Sequence, residues 1–172
     1  VDVSGAGATV TIAGDSVAAI DLATLATATV SISGTAGFTD VTTGTAASFT
    51  NSGSGAVTLG ATTATAGLAV AATYTGGSGV DTVSFGASTK ASTLGAGDDV
   101  AYLTGAALGT AGSIDAGVGT DTLGMTVANA VTASSTDLFE GTISGFEQLT
   151  VATSAAGTIN MANLDDIKAI NI

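Results

Sequence analysis

The sequence predicts an all-β fold, a right-handed parallel β-solenoid with irregular coils and few short helical turns. Short apolar–x–apolar units recur along the chain, each closed by Gly or another small residue. That is the pattern of a short strand with two side chains inward and one outward. The spacing of the units falls in the range of stacked-coil architectures. Between them Thr, Val, Ser and Gly dominate, and all are poor helix formers.

The first four units are Val10-Thr11-Ile12, Val30-Ser31-Ile32, Val57-Thr58-Leu59 and Val83-Ser84-Phe85. They start 20, 27 and 26 residues apart, so connections of unequal length are expected. Leu149-Thr150-Val151 and Ile170-Asn171-Ile172 repeat the pattern later. A longer echo links Ile20–Leu25 to Ile159–Leu164, each followed by one of these units, as if a coil turned a corner and laid down the next strand. Helical turns are predicted only at 16–26 and 161–168, with Asp165 and Asp166 favouring the N-terminal end of the second.

Composition narrows the chemistry. The 172 residues include 25 Gly and no Pro, Cys, His or Trp. Lys90 and Lys168 are the only basic side chains against 14 acids, a formal charge of -12. Without Cys or His the usual ligands of zinc, haem and iron–sulfur centres are missing. The many Ser and Thr have no imidazole to act as their base, so an enzyme is not expected. Asp81-Thr82 and Asp121-Thr122 share the Asp-Thr of aspartic proteases, but Val83 and Leu123 stand where those enzymes carry Gly. Two Lys cannot neutralise a phosphate backbone, so nucleic acid is not expected as a partner. No apolar run approaches the roughly 18 residues of a membrane span, so no transmembrane segment is expected. What remains is oxygen, from carboxylates, hydroxyls and carbonyls, which suits hard cations and above all calcium. A thin core of small residues without disulfides fits an exported chain stapled by metal. The chain reads as a segment of a longer protein.

One stretch concentrates this chemistry. Gly76-Gly77-Ser78-Gly79-Val80-Asp81-Thr82-Val83-Ser84 fills every fixed point of G-G-x-G-x-D-x-U-x, where U is a large aliphatic residue. Eighteen residues on, Leu94-Gly95-Ala96-Gly97-Asp98-Asp99-Val100-Ala101-Tyr102 repeats it in part. Twenty-two further on comes Ala116-Gly117-Val118-Gly119-Thr120-Asp121-Thr122-Leu123-Gly124, preceded by Asp115. A coil of two nine-residue halves revisits the same edge every 18 residues. Asp81 and Asp99 are therefore expected to stack about 4.8 Å apart, with Asp121 next after a four-residue bulge within 104–113. Carboxylates that close repel, and a cation between them reverses the sign. The glycines are expected to adopt positive φ and aim carbonyls at the ion, and Asp98 to add charge.

On the opposite edge Lys90 falls in the aspartate slot, so calcium is expected along one edge only, with Lys90 either filling the charge hole on the other or projecting into solvent. Ser52-Gly53-Ser54-Gly55-Ala56-Val57 keeps the glycine spacing but has Val57 for Asp, and reads as a metal-free coil. Asp40, in a stretched glycine–aspartate turn, is a further candidate ligand. Asp2, Asp15, Asp21, Asp137, Glu140 and Glu147 read as loop or face acids.

The three motifs resemble the RTX repeat family, the calcium-binding parallel β-roll of proteins exported by type I secretion. The resemblance covers about residues 74–124. It implies irregular β-solenoid coils over 1–73, a calcium β-roll over 74–124 and continuing coils over 125–172. It also implies Ca2+ held by Gly76, Gly77, Gly79, Asp81, Gly95, Gly97, Asp98, Asp99, Asp115, Gly117, Gly119 and Asp121. Ile143-Ser144-Gly145-Phe146-Glu147-Gln148-Leu149-Thr150-Val151 and the Thr/Ala/Gly-rich strands are similar to RTX-containing bacterial surface-layer (S-layer) proteins of the Caulobacter type. That likeness implies a secreted structural subunit on the cell surface, self-associating in a calcium-held lattice, with surface polysaccharide as a further partner. The alternative is the repeat module of a secreted RTX adhesin, binding ice or carbohydrate through outward Thr rows such as Thr9/Thr11 and Thr27/Thr29. A module of an RTX exoenzyme, its catalytic domain lying elsewhere, belongs to the same alternative.

Overall fold

The computed structural model describes residues 5–6, 9–13, 18–19, 25–26, 29–35, 37–40, 48–60, 62–152, 156–164 and 166–172. The described strands are β1 (Gly5–Ala6), β2 (Thr9–Ala13), β3 (Ala18–Ala19), β4 (Leu25–Ala26), β5 (Thr29–Ser33), β6 (Phe38–Asp40), β7 (Ser48–Asn51), β8 (Val57–Leu59) and β9 (Thr73–Thr75). They continue with β10 (Thr82–Phe85), β11 (Ala91–Thr93), β12 (Val100–Leu103), β13 (Ser113–Asp115), β14 (Thr122–Thr126), β15 (Ile143–Ser144), β16 (Gln148–Ala152) and β17 (Ala169–Asn171). Among the described residues β2, β5, β7, β9, β11, β13 and β15 form a seven-stranded sheet, and β3, β6, β8, β10, β12, β14, β16 and β17 an eight-stranded one, while β1 and β4 pair separately. Every one of these pairings is parallel. The chain is an all-β parallel β-solenoid, each coil laying one strand in each sheet over most of its length.

Alternation of side chains explains why these residues stack. In the eight-stranded sheet Leu59, Val83, Ala101, Leu123, Leu149 and Ile170 stand in register, one per coil. All but Ile170 are fully buried. Phe49 and Tyr74 face them from the seven-stranded sheet as register neighbours. Each fully buried Leu, Val or Phe among them stabilises the fold by about 1.5–3 kcal/mol through burial. In a core this thin the few aromatics, Phe38, Phe49, Tyr74, Phe85 and Phe146, fill most of the depth.

The coil length differs from the sequence reading. Val10 and Val30 are register partners, so the first spacing is one coil. Val30 lies in the seven-stranded sheet, whereas Val57 and Val83 lie in the other, and Val83 pairs with Leu59. The apolar–x–apolar unit looks the same on both sheets, so spacing alone mixed half-coils with coils. The expected four-residue bulge does fall between Leu103 and Ser113. β10 and β12 pair 18 residues apart, while β11 and β13 pair 22 apart.

The helical expectation also needs correction. Positions 18–19 and 25–26 are strands β3 and β4, and the rest of that stretch, including Ile20-Asp21-Leu22-Ala23-Thr24 of the echo, lies outside the described residues. In 161–168 the expected short turn forms as a 3-10 helix, Met161–Asn163, at the start of the stretch. Its cap is Asn160, whose Oδ1 accepts from Ala162 N at 3.2 Å, and Asp166 follows the turn. The α-helix that does form, α1 (Val127–Ala133), was not predicted. Its Val, Thr and Asn have weak propensity. Thr126 caps it by accepting from Asn129 N at 3.2 Å, and Ala130 and Ala133 bury against the roll.

The outer face of the seven-stranded sheet is a hydroxyl surface. Thr11, Ser31, Thr50, Thr75 and Thr93 stand one above another, beside a second column of Thr9, Thr29, Ser48 and Thr73. Thr27, the other half of one anticipated row, lies outside the described residues.

Truncating the core should cost far more than truncating this face. Leu123→Ala is expected to lower unfolding free energy by about 2–5 kcal/mol and Thr50→Ala to stay within about 0.5 kcal/mol, both read from urea midpoints at fixed calcium.

Candidate metal centre

The three motif aspartates meet as their spacing requires. Thr82 pairs with Val100 and Val100 with Thr122, so the residues just before them, Asp81, Asp99 and Asp121, form one column along an edge of the solenoid. All three are completely buried. The same register adds Val57 below Asp81 and places Glu147 and then Lys168 after Asp121.

Each acid is held by the coil before it. Asp81 Oδ1 accepts from Val57 N at 2.8 Å, Asp99 Oδ1 from Asp81 N at 2.6 Å, and Asp121 Oδ1 from Asp99 N at 2.7 Å. Glu147 Oε2 accepts from Asp121 N at 2.8 Å. The second oxygens differ. Asp81 Oδ2 accepts from the Tyr74 hydroxyl at 2.7 Å. Asp99 Oδ2 and Asp121 Oδ2 are buried with no hydrogen-bond partner.

The glycines bring the turns close enough for this ladder, for two reasons. Gly97 has φ +137°, which side-chain-bearing residues rarely adopt. Gly119 has an ordinary φ, but a Cβ there would collide with the Gly97 carbonyl. Positive φ at every motif glycine was expected. It is found at Gly95, Gly97 and Gly117, whereas Gly76, Gly77, Gly79 and Gly119 serve by close approach of backbone to backbone.

Burial sets the electrostatics. It pushes the Asp99 carboxyl up to about 7, helped by the charges of Asp81, Asp121 and Asp98 and opposed by the Asp81 amide. Asp121 is raised by burial, with Glu147, Asp98 and Asp115 adding repulsion. Asp81 is raised by burial too, against the donors Tyr74 and Val57. The Tyr74 hydroxyl is raised by burial and by Asp81, so it stays protonated and donates.

Other expected ligands lie elsewhere. Asp98 is exposed, and its Oδ1 accepts from Thr120 N at 2.9 Å, which stitches one turn to the next. Asp115 is exposed in the hydroxyl columns, in register with Thr93 and Ser144. Strand alternation turns it outward, so it does not join the column. Lys90 is exposed and fills no charge hole; buried Ser88 bonds its backbone instead. Asp40 ends β6, and its side chain, like Asp2, Asp15 and Asp21, lies outside the description.

Glu147 was read as a face acid and stands in the column. Its signal was present: Glu147-Gln148-Leu149 repeats the D-x-U of Asp121-Thr122-Leu123 with Glu for Asp. Asn51 and Tyr74 were missed altogether. Asn51 is buried, with Oδ1 accepting from Gly53 N and Nδ2 donating to Gly55 O, both at 3.0 Å.

Among the described residues no three acidic side chains converge into a carboxylate cage. A cation here would rest on carboxylate and backbone oxygen together. The residues offer a cation suitable oxygens: Asp99 Oδ2 and Asp121 Oδ2 lack any donor, and no described hydrogen bond ends on the Gly79 and Gly97 carbonyls of the turns before them. An unpaired buried carboxylate is costly, so a proton or a cation must complete it. Compared with known protein families and curated proteins, the sequence matches none.

The pH dependence of the metal-free protein follows from the raised carboxyls. A buried carboxyl near 7 against about 3.9 in the unfolded chain binds its proton more tightly when folded. Its stabilising contribution is complete below about pH 4 and is lost as pH rises through about 7. In EDTA the chain should therefore keep more β dichroism at pH 5 than at pH 8, and Asp99→Asn should reduce that difference.

Proposed function

We propose that this chain is a calcium-stapled structural segment of a secreted bacterial surface-layer protein. One observation carries the metal part of the reading: Asp99 Oδ2 and Asp121 Oδ2 lie buried and unpartnered in a stack of glycine turns. Asp99 with the Gly79 carbonyl, and Asp121 with the Gly97 carbonyl, would each hold an ion. Bound Ca2+ supplies positive charge that lets both carboxylates stay ionised without water. In a calcium-poor cytosol the column repels itself and the chain stays unfolded enough to be exported by type I secretion. Outside, millimolar calcium completes the stack. Extracellular sites often bind near 10⁻⁴–10⁻³ M, and at ten times Kd each adds about 1.4 kcal/mol. That is a sizeable share of a total stability of about 5–15 kcal/mol.

As a surface-layer subunit the chain would self-associate once calcium has folded it. No described helix is long and apolar enough to cross a membrane. The test is circular dichroism with size-exclusion light scattering during a calcium titration after EDTA. β signal should appear at submillimolar to millimolar calcium, and particle mass should then grow. Folding without growth would reduce the segment to a spacer, and no response to calcium would sink the reading.

The paired hydroxyl columns of the seven-stranded sheet favour a second reading, an RTX adhesin module that holds an ice or carbohydrate surface. Replacing Thr50 and Thr75 by Tyr should then abolish retention on ice or on a polysaccharide matrix while leaving the dichroism unchanged. If the native chain is not retained on either, this second reading fails.

A further inference from the structure

The column is not uniform along its length. Between successive turns the same two groups recur. A glycine carbonyl from the earlier turn points at the later one, so that a Cβ on Gly79 would lie 2.6 Å from Gly55 O and one on Gly97 2.6 Å from Gly79 O. A carboxylate from the later turn reaches back to the earlier turn's amide. The successive pairs are thus Gly55 with Asp81, Gly79 with Asp99, and Gly97 with Asp121.

In the second and third pairs nothing completes these groups. Asp99 Oδ2 and Asp121 Oδ2 have no partner, and no described hydrogen bond ends on the Gly79 or Gly97 carbonyl. In the first pair both are satisfied by protein. Asn51 Nδ2 donates to Gly55 O at 3.0 Å, and the Tyr74 hydroxyl donates to Asp81 Oδ2 at 2.7 Å. Both donors are buried, Asn51 at 2% and Tyr74 at 0% exposure, and they come from the paired strands β7 and β9, Tyr74 in register with Phe49 and Asn51 two residues further along. An amide hydrogen and a phenol hydrogen occupy the roles that a cation would take in the next two turns.

We propose that Asn51 and Tyr74 replace the cation in the first turn of the column, leaving cations to enter only at Asp99 and Asp121. The turn at Asp81 is then a metal-independent end on which the calcium-dependent coils stack. This rests on the calcium reading above and adds to it where the column is closed. Asp81, although it stands in the complete nonapeptide, is satisfied without metal, and the two incomplete motifs carry the ions.

The test is calcium stoichiometry by isothermal titration calorimetry on the whole chain. Asp99→Asn and Asp121→Asn should each lower the number of ions bound by one, and Asp81→Asn should leave it unchanged. The double variant Asn51→Asp/Tyr74→Phe frees both groups of the first pair and should raise it by one. Loss of an ion in Asp81→Asn overturns the proposal while leaving the calcium reading standing. No calcium bound by the native chain overturns both. Should Asp81→Asn fail to fold, amide exchange of the metal-free native chain decides. Protection of the Val57 amide well above that of the Asp99 amide supports the closed end, and equal exchange overturns it.

Discussion

Each of four successive coils carries one acid whose oxygen takes a backbone amide from the coil before. That ladder is the constraint to which the rest of the structure conforms. It puts ionisable oxygen where water is excluded, so every remaining lone pair must find a hydrogen, a proton or a metal. It requires backbone to approach backbone closely at the turns, hence glycine at Gly97 and Gly119. It also fixes the register of the eight-stranded sheet, because a slip of one residue would turn the acid outward and the aliphatic residue two positions later with it.

Coil length varies while the column does not, and the reason lies in which edge absorbs the extra residues. The connections from Thr75 to Thr82, Thr93 to Val100 and Asp115 to Thr122 are six residues each. On the far edge the connection is short between Phe85 and Ala91, longer between Leu103 and Ser113, and longest between Thr126 and Ile143, where α1 is inserted. Hence the acid ladder spans steps of 24, 18, 22 and 26 residues without losing alignment. Among the near-edge turns that carry an acid, one is shorter, from Ser144 to Gln148, and there the acid is Glu147 instead of Asp. The longer side chain reaches the Asp121 amide that a shorter one on a cut turn would not.

The sequence made the repeated half of this arrangement legible. Asp81, Asp99 and Asp121 were readable because aspartate, glycine and an aliphatic residue recur at one spacing, and the extra four residues announced themselves as a break in it. Glu147 obeyed the same grammar with a different acid and was passed over. Asn51 and Tyr74 carried no local signal: each meets the column only because a strand of the other sheet runs beside it, and that adjacency is a property of the folded coil. Asp98 lies inside the second motif and Asp115 just before the third; both side chains are exposed, so Asp98 adds charge to the column from outside it and Asp115 stands in the hydroxyl column. α1 escaped for a related reason, since burial of Ala130 and Ala133 decides what the propensities of Val and Thr do not.

A stack of coils in which each contacts only its neighbours has no intrinsic preference for where folding begins. The chemistry of the column supplies one. Protein donors at Asn51 and Tyr74 are present at fixed effective concentration from the moment β7 and β9 pair, whereas a cation must be drawn from solvent. If cations enter at Asp99 and Asp121 as proposed, the first turn closes when calcium is scarce and the later turns only when it is plentiful. After Glu147 the next slot holds Lys168, its amide bonded to the Glu147 carbonyl at 2.8 Å. Neutral Val57 before the three aspartates and a lysine after the glutamate flank the acids unequally, which gives this stretch of the edge a polarity that a folding front growing from the Asp81 turn would follow.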